Sequence, residues 1–135
     1  MDKDLFRHGV ISWTELMTDD PDGACRFYAD LFGWTYQTHD MGEGPYHEVR
    51  SGERSMGGIM QTPPAAAGQP PQWGLYVTVD DIDATAARCG ELGGSVLVPP
   101  MDIPTVGRFA VLRDPQGAVF QAITYATEAD GDQAC

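Results

Sequence analysis

An α+β fold of two tandem βαβββ modules, forming one curved mixed sheet with helices outside and a cleft inside, is predicted by three observations. First, the chain repeats itself: Asp20-Pro21-Asp22-Gly23 to Leu31-Phe32-Gly33 returns at a constant offset as Asp81-Ile82-Asp83-Ala84 to Leu92-Gly93-Gly94. In that register Asp20 meets Asp81, Asp22 meets Asp83, Asp30 meets Glu91, Leu31 meets Leu92 and Gly33 meets Gly94. Second, an alternating segment precedes each copy and ends in an acidic turn, Glu15-Leu16-Met17-Thr18-Asp19 and Tyr76-Val77-Thr78-Val79-Asp80. Third, three short β-type runs broken by Gly, Pro and Asp follow each copy. One such module cannot bury both its helix and its sheet face, whereas two side by side can.

The elements follow in order. Residues 10–17 alternate as a half-buried strand does, with Ser12, Thr14 and Leu16 on one face and Trp13, Glu15 and Met17 on the other. Asp19 or Asp20 caps the next helix, Pro21 sits where its missing N–H is harmless, and Ala24, Phe27, Tyr28 and Leu31 form its apolar stripe up to Gly33. Strands are predicted over 34–38, 46–50 and 56–61, separated by Met41-Gly42-Glu43-Gly44-Pro45 and Ser51-Gly52-Glu53. A Pro/Ala/Gly connector covers 62–72. The second module repeats the plan: a strand over 73–79, a helix over 81–92 stopped by Gly93-Gly94, and strands over 95–98, 108–113 and 118–125. Asp114-Pro115-Gln116-Gly117 has type I turn chemistry and joins the last two as a hairpin. We therefore place one domain at 8–125, with modules at about 8–62 and 73–125 and a flexible tail at 126–135.

Composition narrows the function classes. A formal net charge of −12 disfavours nucleic acid and anionic membrane surfaces and favours cationic ligands. No apolar run is long enough to span a bilayer and Met1-Asp2-Lys3-Asp4 is not a secretory leader, so a cytoplasmic protein is expected. Three cysteines cannot all pair; Cys25 and Cys89 lie in the repeated helices and Cys135 ends the chain, with no CxxC or Cys/His spacing. His8, His39 and His47 read as solvated or rim histidines, and His47 and Glu48, being adjacent on a strand, face opposite ways.

The chain resembles the vicinal oxygen chelate superfamily, the glyoxalase, bleomycin-resistance and extradiol-dioxygenase group. The resemblance rests on Trp13-Thr14-Glu15-Leu16, on 27–34 (Phe-Tyr-Ala-Asp-Leu-Phe-Gly-Trp), on 76–83, and on 107–118 with its Asp-Pro-Gln-Gly-Ala hairpin, and covers roughly 8–125. Metal-using members place His, Glu or Gln ligands at four equivalent strand positions, which the resemblance puts here at Trp13, near Gly58, at Gly74 and at Gln121. Tryptophan and glycine supply no ligating side chain, and Glu15 with Gln121 makes only two candidates. No metal or other cofactor is expected, and a divalent ion belongs to the alternative reading.

If that ligand face still lines a cleft, Trp13, Glu15, Met60, Tyr76, Phe109 and Gln121 are its candidate ligand-binding residues, apolar walls with a few orienting polar groups. Glu15 is the candidate catalytic residue: a desolvated carboxylate that serves as general base or accepts a ligand amine, or else a structural hydrogen-bonding group. Trp13 either walls the cleft or plugs it. Arg108 and Arg113 meet an anionic group or pair with surface carboxylates, and Met101, Pro104 and Phe109 suit a lid. The reading is a metal-independent binder of a small aromatic or cationic molecule. The alternative is a lyase, isomerase or dioxygenase of this superfamily, metal-dependent or using Glu15 as base, so whether the chain is an enzyme stays open. The resemblance also implies a homodimer.

Overall fold

The computed structural model describes residues 3–40, 44–64 and 67–126 of the chain. The predicted stretch 41–43, part of the connector, the tail from 127 and Cys135 lie outside the described residues. Eight strands and two α-helices follow a short 3₁₀ turn at Lys3–Phe6: β1 (Ile11–Thr18), α1 (Pro21–Phe32), β2 (Thr35–Asp40), β3 (Pro45–Ser51), β4 (Arg54–Gln61), β5 (Gln72–Thr78), α2 (Ile82–Glu91), β6 (Ser95–Ile103), β7 (Gly107–Arg113) and β8 (Val119–Tyr125). Strand, helix and three strands thus occur twice, as the repeat predicts. The chain divides into two compact units, Trp13–Gly74, and Leu75–Cys135 together with Met1–Ser12.

In the first unit the strands run in the order β2-β3-β4-β1. β2, β3 and β4 pair antiparallel, and β1 lies parallel to β4 with Glu15 opposite Gly58 and Met17 opposite Met60. Parallel neighbours need a crossover, and α1 supplies part of it. The helix starts where the Asp20 carboxylate accepts from the Gly23 N–H, with Pro21 in the first turn, and stops at Gly33, whose φ of 76° an L side chain would resist. Leu16, Val49 and Ile59 form the core against Ala24, Cys25 and Tyr28 of α1. Tyr28 is the hub of a ring cluster, in contact with Phe27, Phe32, Trp34 and Trp73.

The second unit repeats the plan as β5-β8-β7-β6. β5 and β8 are parallel, with Tyr76 opposite Gln121, and β6, β7 and β8 are antiparallel. Asp81 caps α2 by accepting from the N–H groups of Asp83 and Ala84. Its core is Val79, Ile82, Ala86, Ala110, Leu112 and Ala122. The first residues of the chain join this unit: the N–H of Gly9 donates to the Thr78 carbonyl, that of Thr78 to the Val10 carbonyl, and the Thr78 hydroxyl to the Leu5 carbonyl.

Two expectations are corrected. β6 does not end at Val98 but runs through Pro99-Pro100 to Ile103, because an edge strand can spare the N–H that proline lacks. Met101 and Phe109 are therefore cross-strand partners on β6 and β7, not parts of a lid, and Pro104 lies in the turn that joins those strands.

Candidate functional site

Strand alternation separates two faces in the first unit. Leu16, Val49 and Ile59 point to α1, so Trp13, Glu15 and Met17 of β1, Tyr46, Glu48 and Arg50 of β3, and Gly58 and Met60 of β4 share the opposite face. There the Trp13 indole Nε1–H donates to the Tyr46 hydroxyl over 2.9 Å, and that hydroxyl donates to Glu15 Oε2 over 2.7 Å. Glu15 is only 6% exposed. A buried carboxylate is tolerated where donors converge on it, and the phenol is one such donor. Tyr46 reaches both partners because its ring lies over Gly58, where an added β-carbon would overlap the phenol oxygen and Cζ.

The sequence reading did not single out Tyr46. Its link to β1 passes across β4, and the only local signal is Gly44-Pro45 at the entry to β3. A polar cluster on the same face was also missed: Glu48 accepts from His39 Nε2 at 2.9 Å and pairs with Arg50 at 3.1 Å, and Arg50 also donates to Gln37. Burial pushes the Glu48 carboxyl upward, but hydrogen bonds from Ser55 and His39 and the Arg50 and His39 charges outweigh it, so its pKa is lowered. The Arg50 Nε–H is buried without a hydrogen-bond partner among the described residues. His47 points the other way, 3.9 Å from Asp22 of α1, as its place beside Glu48 predicts.

Met60 joins Trp13 and Glu15 on this face. Tyr76, Phe109 and Gln121 form a separate group in the second unit, on the face away from its α2-side core. The Tyr76 and Phe109 rings, on strands either side of β8, approach to 6.4 Å between centroids. Gln121 of β8 is 9% exposed, and its Oε1 has no partner among the described residues. Arg108 lies on the helix side and bridges Asp83 of α2 at 3.0 Å and Asp102 at 3.2 Å, the surface pairing its carboxylate neighbours favour.

Of the four positions that the resemblance singles out for metal ligands, only Gln121 carries a side chain able to ligate. Trp13 uses its only nitrogen as a donor, Gly58 and Gly74 carry no side chain, and the Tyr46 ring occupies the direction a side chain at 58 would take. Among the described residues no group of three or more His, Cys, Asp or Glu side chains is placed to hold a metal. The Cys25 thiol of α1 is pushed up in pKa by burial and then by Asp22, which disfavours its thiolate. Among the described residues no helix is long and apolar enough to cross a membrane.

This architecture and these strand motifs agree with comparison to known proteins. The family model described as Glyoxalase/Bleomycin resistance protein/Dioxygenase superfamily matches residues 10–122, and the chain belongs to that family. It is 44% identical over 121 residues to "Putative glyoxylase CFP32" of Mycobacterium tuberculosis, covering 89% of this chain and 46% of the relative. It is 34% identical over 128 residues to "Anthracycline biosynthesis protein DnrV" of Streptomyces peucetius, covering 85% of this chain and 46% of the relative. The chain thus spans about half the length of these curated relatives. Among solved structures, methylmalonyl-CoA epimerase from Mycobacterium tuberculosis superposes with a TM-score of 0.63 at 14% identity, over 91% of this chain and 94% of the other. A variant of 4-hydroxymandelate synthase from Streptomyces coelicolor gives 0.62 at 18% identity, over 89% of this chain and 39% of the other. At such identities the likeness is one of fold, which hosts several chemistries.

Proposed function

We propose that the chain is a metal-independent binder of a small organic molecule, aromatic or cationic, held on the face of the first unit around Trp13, Glu15 and Met60. One observation carries the reading: the Trp13–Tyr46–Glu15 hydrogen-bonded chain with the Tyr46 ring seated on Gly58. It replaces ligating side chains with an indole, a phenol and a buried carboxylate beside two methionines. Apolar walls with a few fixed polar groups suit an organic ring, and the carboxylate together with the net charge of −12 suits a cation. Tyr76, Phe109 and Gln121 belong to the proposal as a second set of contacts, Gln121 Oε1 offering an acceptor. The name of one relative, an anthracycline biosynthesis protein, supports flat aromatic molecules as first probes.

Thermal denaturation in the presence of doxorubicin, a planar aromatic cation, tests this, since a ligand that binds only the folded state raises the melting temperature. A saturable rise is expected, reduced in Glu15→Gln. No rise with doxorubicin or with smaller aromatic amines, or one equivalent of divalent ion in protein purified without chelator, would overturn the reading. A second reading, an enzyme using Glu15 as base, draws on the burial of that carboxylate and its contact with Tyr46. Its sign would be turnover of a bound compound that Glu15→Gln abolishes while binding persists. The homodimer is part of the proposal, and light scattering at twice 14.6 kDa checks it.

A further inference from the structure

Aligning the two copies of the repeat in sequence register shows a set of rings that the first has and the second lacks. In the first unit the rings of Tyr28, Phe32 and Trp34, at the end of α1 and just after it, pack against one another, Phe32 staying 58% exposed, and Trp73 donates its indole N–H to the Tyr28 hydroxyl at 3.1 Å. The equivalent positions of the second unit are Cys89, Gly93 and Ser95. Every ring of that set is replaced by a small side chain or none, while the strands and helix around them keep their order. The second unit has an open groove of about 520 Å³ beside α2; of the three replaced positions Cys89 lines it, together with Leu92, Gly94, Pro115 and Phe120. Its lining is mainly apolar, and its size falls within the roughly 300–1,000 Å³ usual for small-molecule sites.

We propose that this groove is a second small-molecule site, distinct from the Trp13–Glu15 face, and that its occupant is a neutral planar aromatic ring. The chemistry follows from the repeat: the same helix-on-sheet frame accepts a phenol, a phenyl and an indole in the first unit, covalently supplied by Tyr28, Phe32 and Trp34. Where Cys89 stands in place of Tyr28, a free ring can bury its faces against Leu92, Pro115 and Phe120. Thr85, Arg88, His8 and Asp114 also line the groove, but the Arg88 guanidinium is engaged by Glu91 at 3.0 Å, His8 Nδ1 accepts from the Asp80 N–H, and the Asp114 carboxylate accepts from the Gln116 and Ala118 N–H groups, so none of these groups calls for a charged partner.

Indole is the probe, followed by amide chemical shifts in ¹⁵N-labelled protein. Saturable shifts centred on Thr85, Cys89, Leu92 and Phe120 are expected, with affinity of about 1 mM, the range a single small ring reaches. Cys89→Phe should restore a ring to the groove and weaken indole binding at least about tenfold; if that variant does not fold, Thr85→Leu, which narrows the groove, should weaken it too. Absence of saturable shifts, shifts centred instead on Trp13, Tyr46 and Glu15, or undiminished binding in the filled variant would overturn the proposal. Because the reporting residues differ, failure here and failure of the first-unit site are told apart in one titration.

Discussion

Tyr46 sits on Gly58: the ring takes the place of the side chain that residue 58 lacks, and from there its hydroxyl joins Trp13 to Glu15. Gly58→Ala is therefore expected to destabilise the fold by about 1–3 kcal/mol, because the ring must move and core insertions of this size cost that much. In a Tyr46→Ala background the same change should cost far less, and urea denaturation of the four proteins in the cycle measures the coupling.

Tyr46→Phe keeps the ring and removes the hydroxyl. The Trp13 N–H then loses its acceptor and Glu15 loses one donor, so a loss of about 1–3 kcal/mol is expected. Unchanged stability in chemical denaturation would show that the hydroxyl contributes nothing to the folded state.

The acid limb of stability should carry a contribution from Glu48. Its folded-state pKa is lowered, so the stabilisation is complete above the unfolded glutamate value of about 4.3 and disappears as pH falls through the folded value. Glu48→Gln should lose stability near neutral pH and show a shallower decline between about pH 5 and 3. Denaturation midpoints across that interval check it.

Thr105 is the one non-glycine residue with positive φ among the described residues, at 66° in the turn after Pro104. A β-branched residue is poorly suited to that conformation, which asparagine tolerates. Thr105→Asn should stabilise by about 0.5–1 kcal/mol, read as a rise in melting temperature with the denaturant slope unchanged.

The Asp81 carboxylate accepts from two N–H groups at the start of α2. Its replacement by Ala should cost about 1 kcal/mol, and replacement by Asn much less. Equal losses in the two variants would mean that the cap acts through charge and not through the hydrogen bonds.

Much of the fold was legible in the chain because its signals are local. Asp20, Asp81 and Gly33 mark helix ends by chemistry that depends on a few neighbouring residues, and the repeat supplied the order of strands. β6 was cut short because Pro99-Pro100 reads as a stop, and whether proline is tolerated depends on a strand lying at an edge, which no local pattern reveals. The site divides in the same way. Alternation placed Trp13 and Glu15 on one face, but the residue that connects them lies two strands away in the sheet. The His39–Glu48–Arg50 cluster escaped for the same reason: adjacent-strand register decides which side chains meet.

The parallel pairing of β1 with β4 and of β5 with β8 has a consequence for how the chain folds. In each unit the first strand finds its partner only after a helix and two further strands have been laid down. Contacts of long sequence separation close large loops before they yield stability, which slows folding. The β2-β3-β4 and β6-β7-β8 meanders can form early from near neighbours. By the same cost β1 and β5 are expected to dock after these meanders, and β1 brings Trp13 and Glu15 with it, so the candidate site is expected to form late, an order that φ-values at Leu16 and Val49 would check.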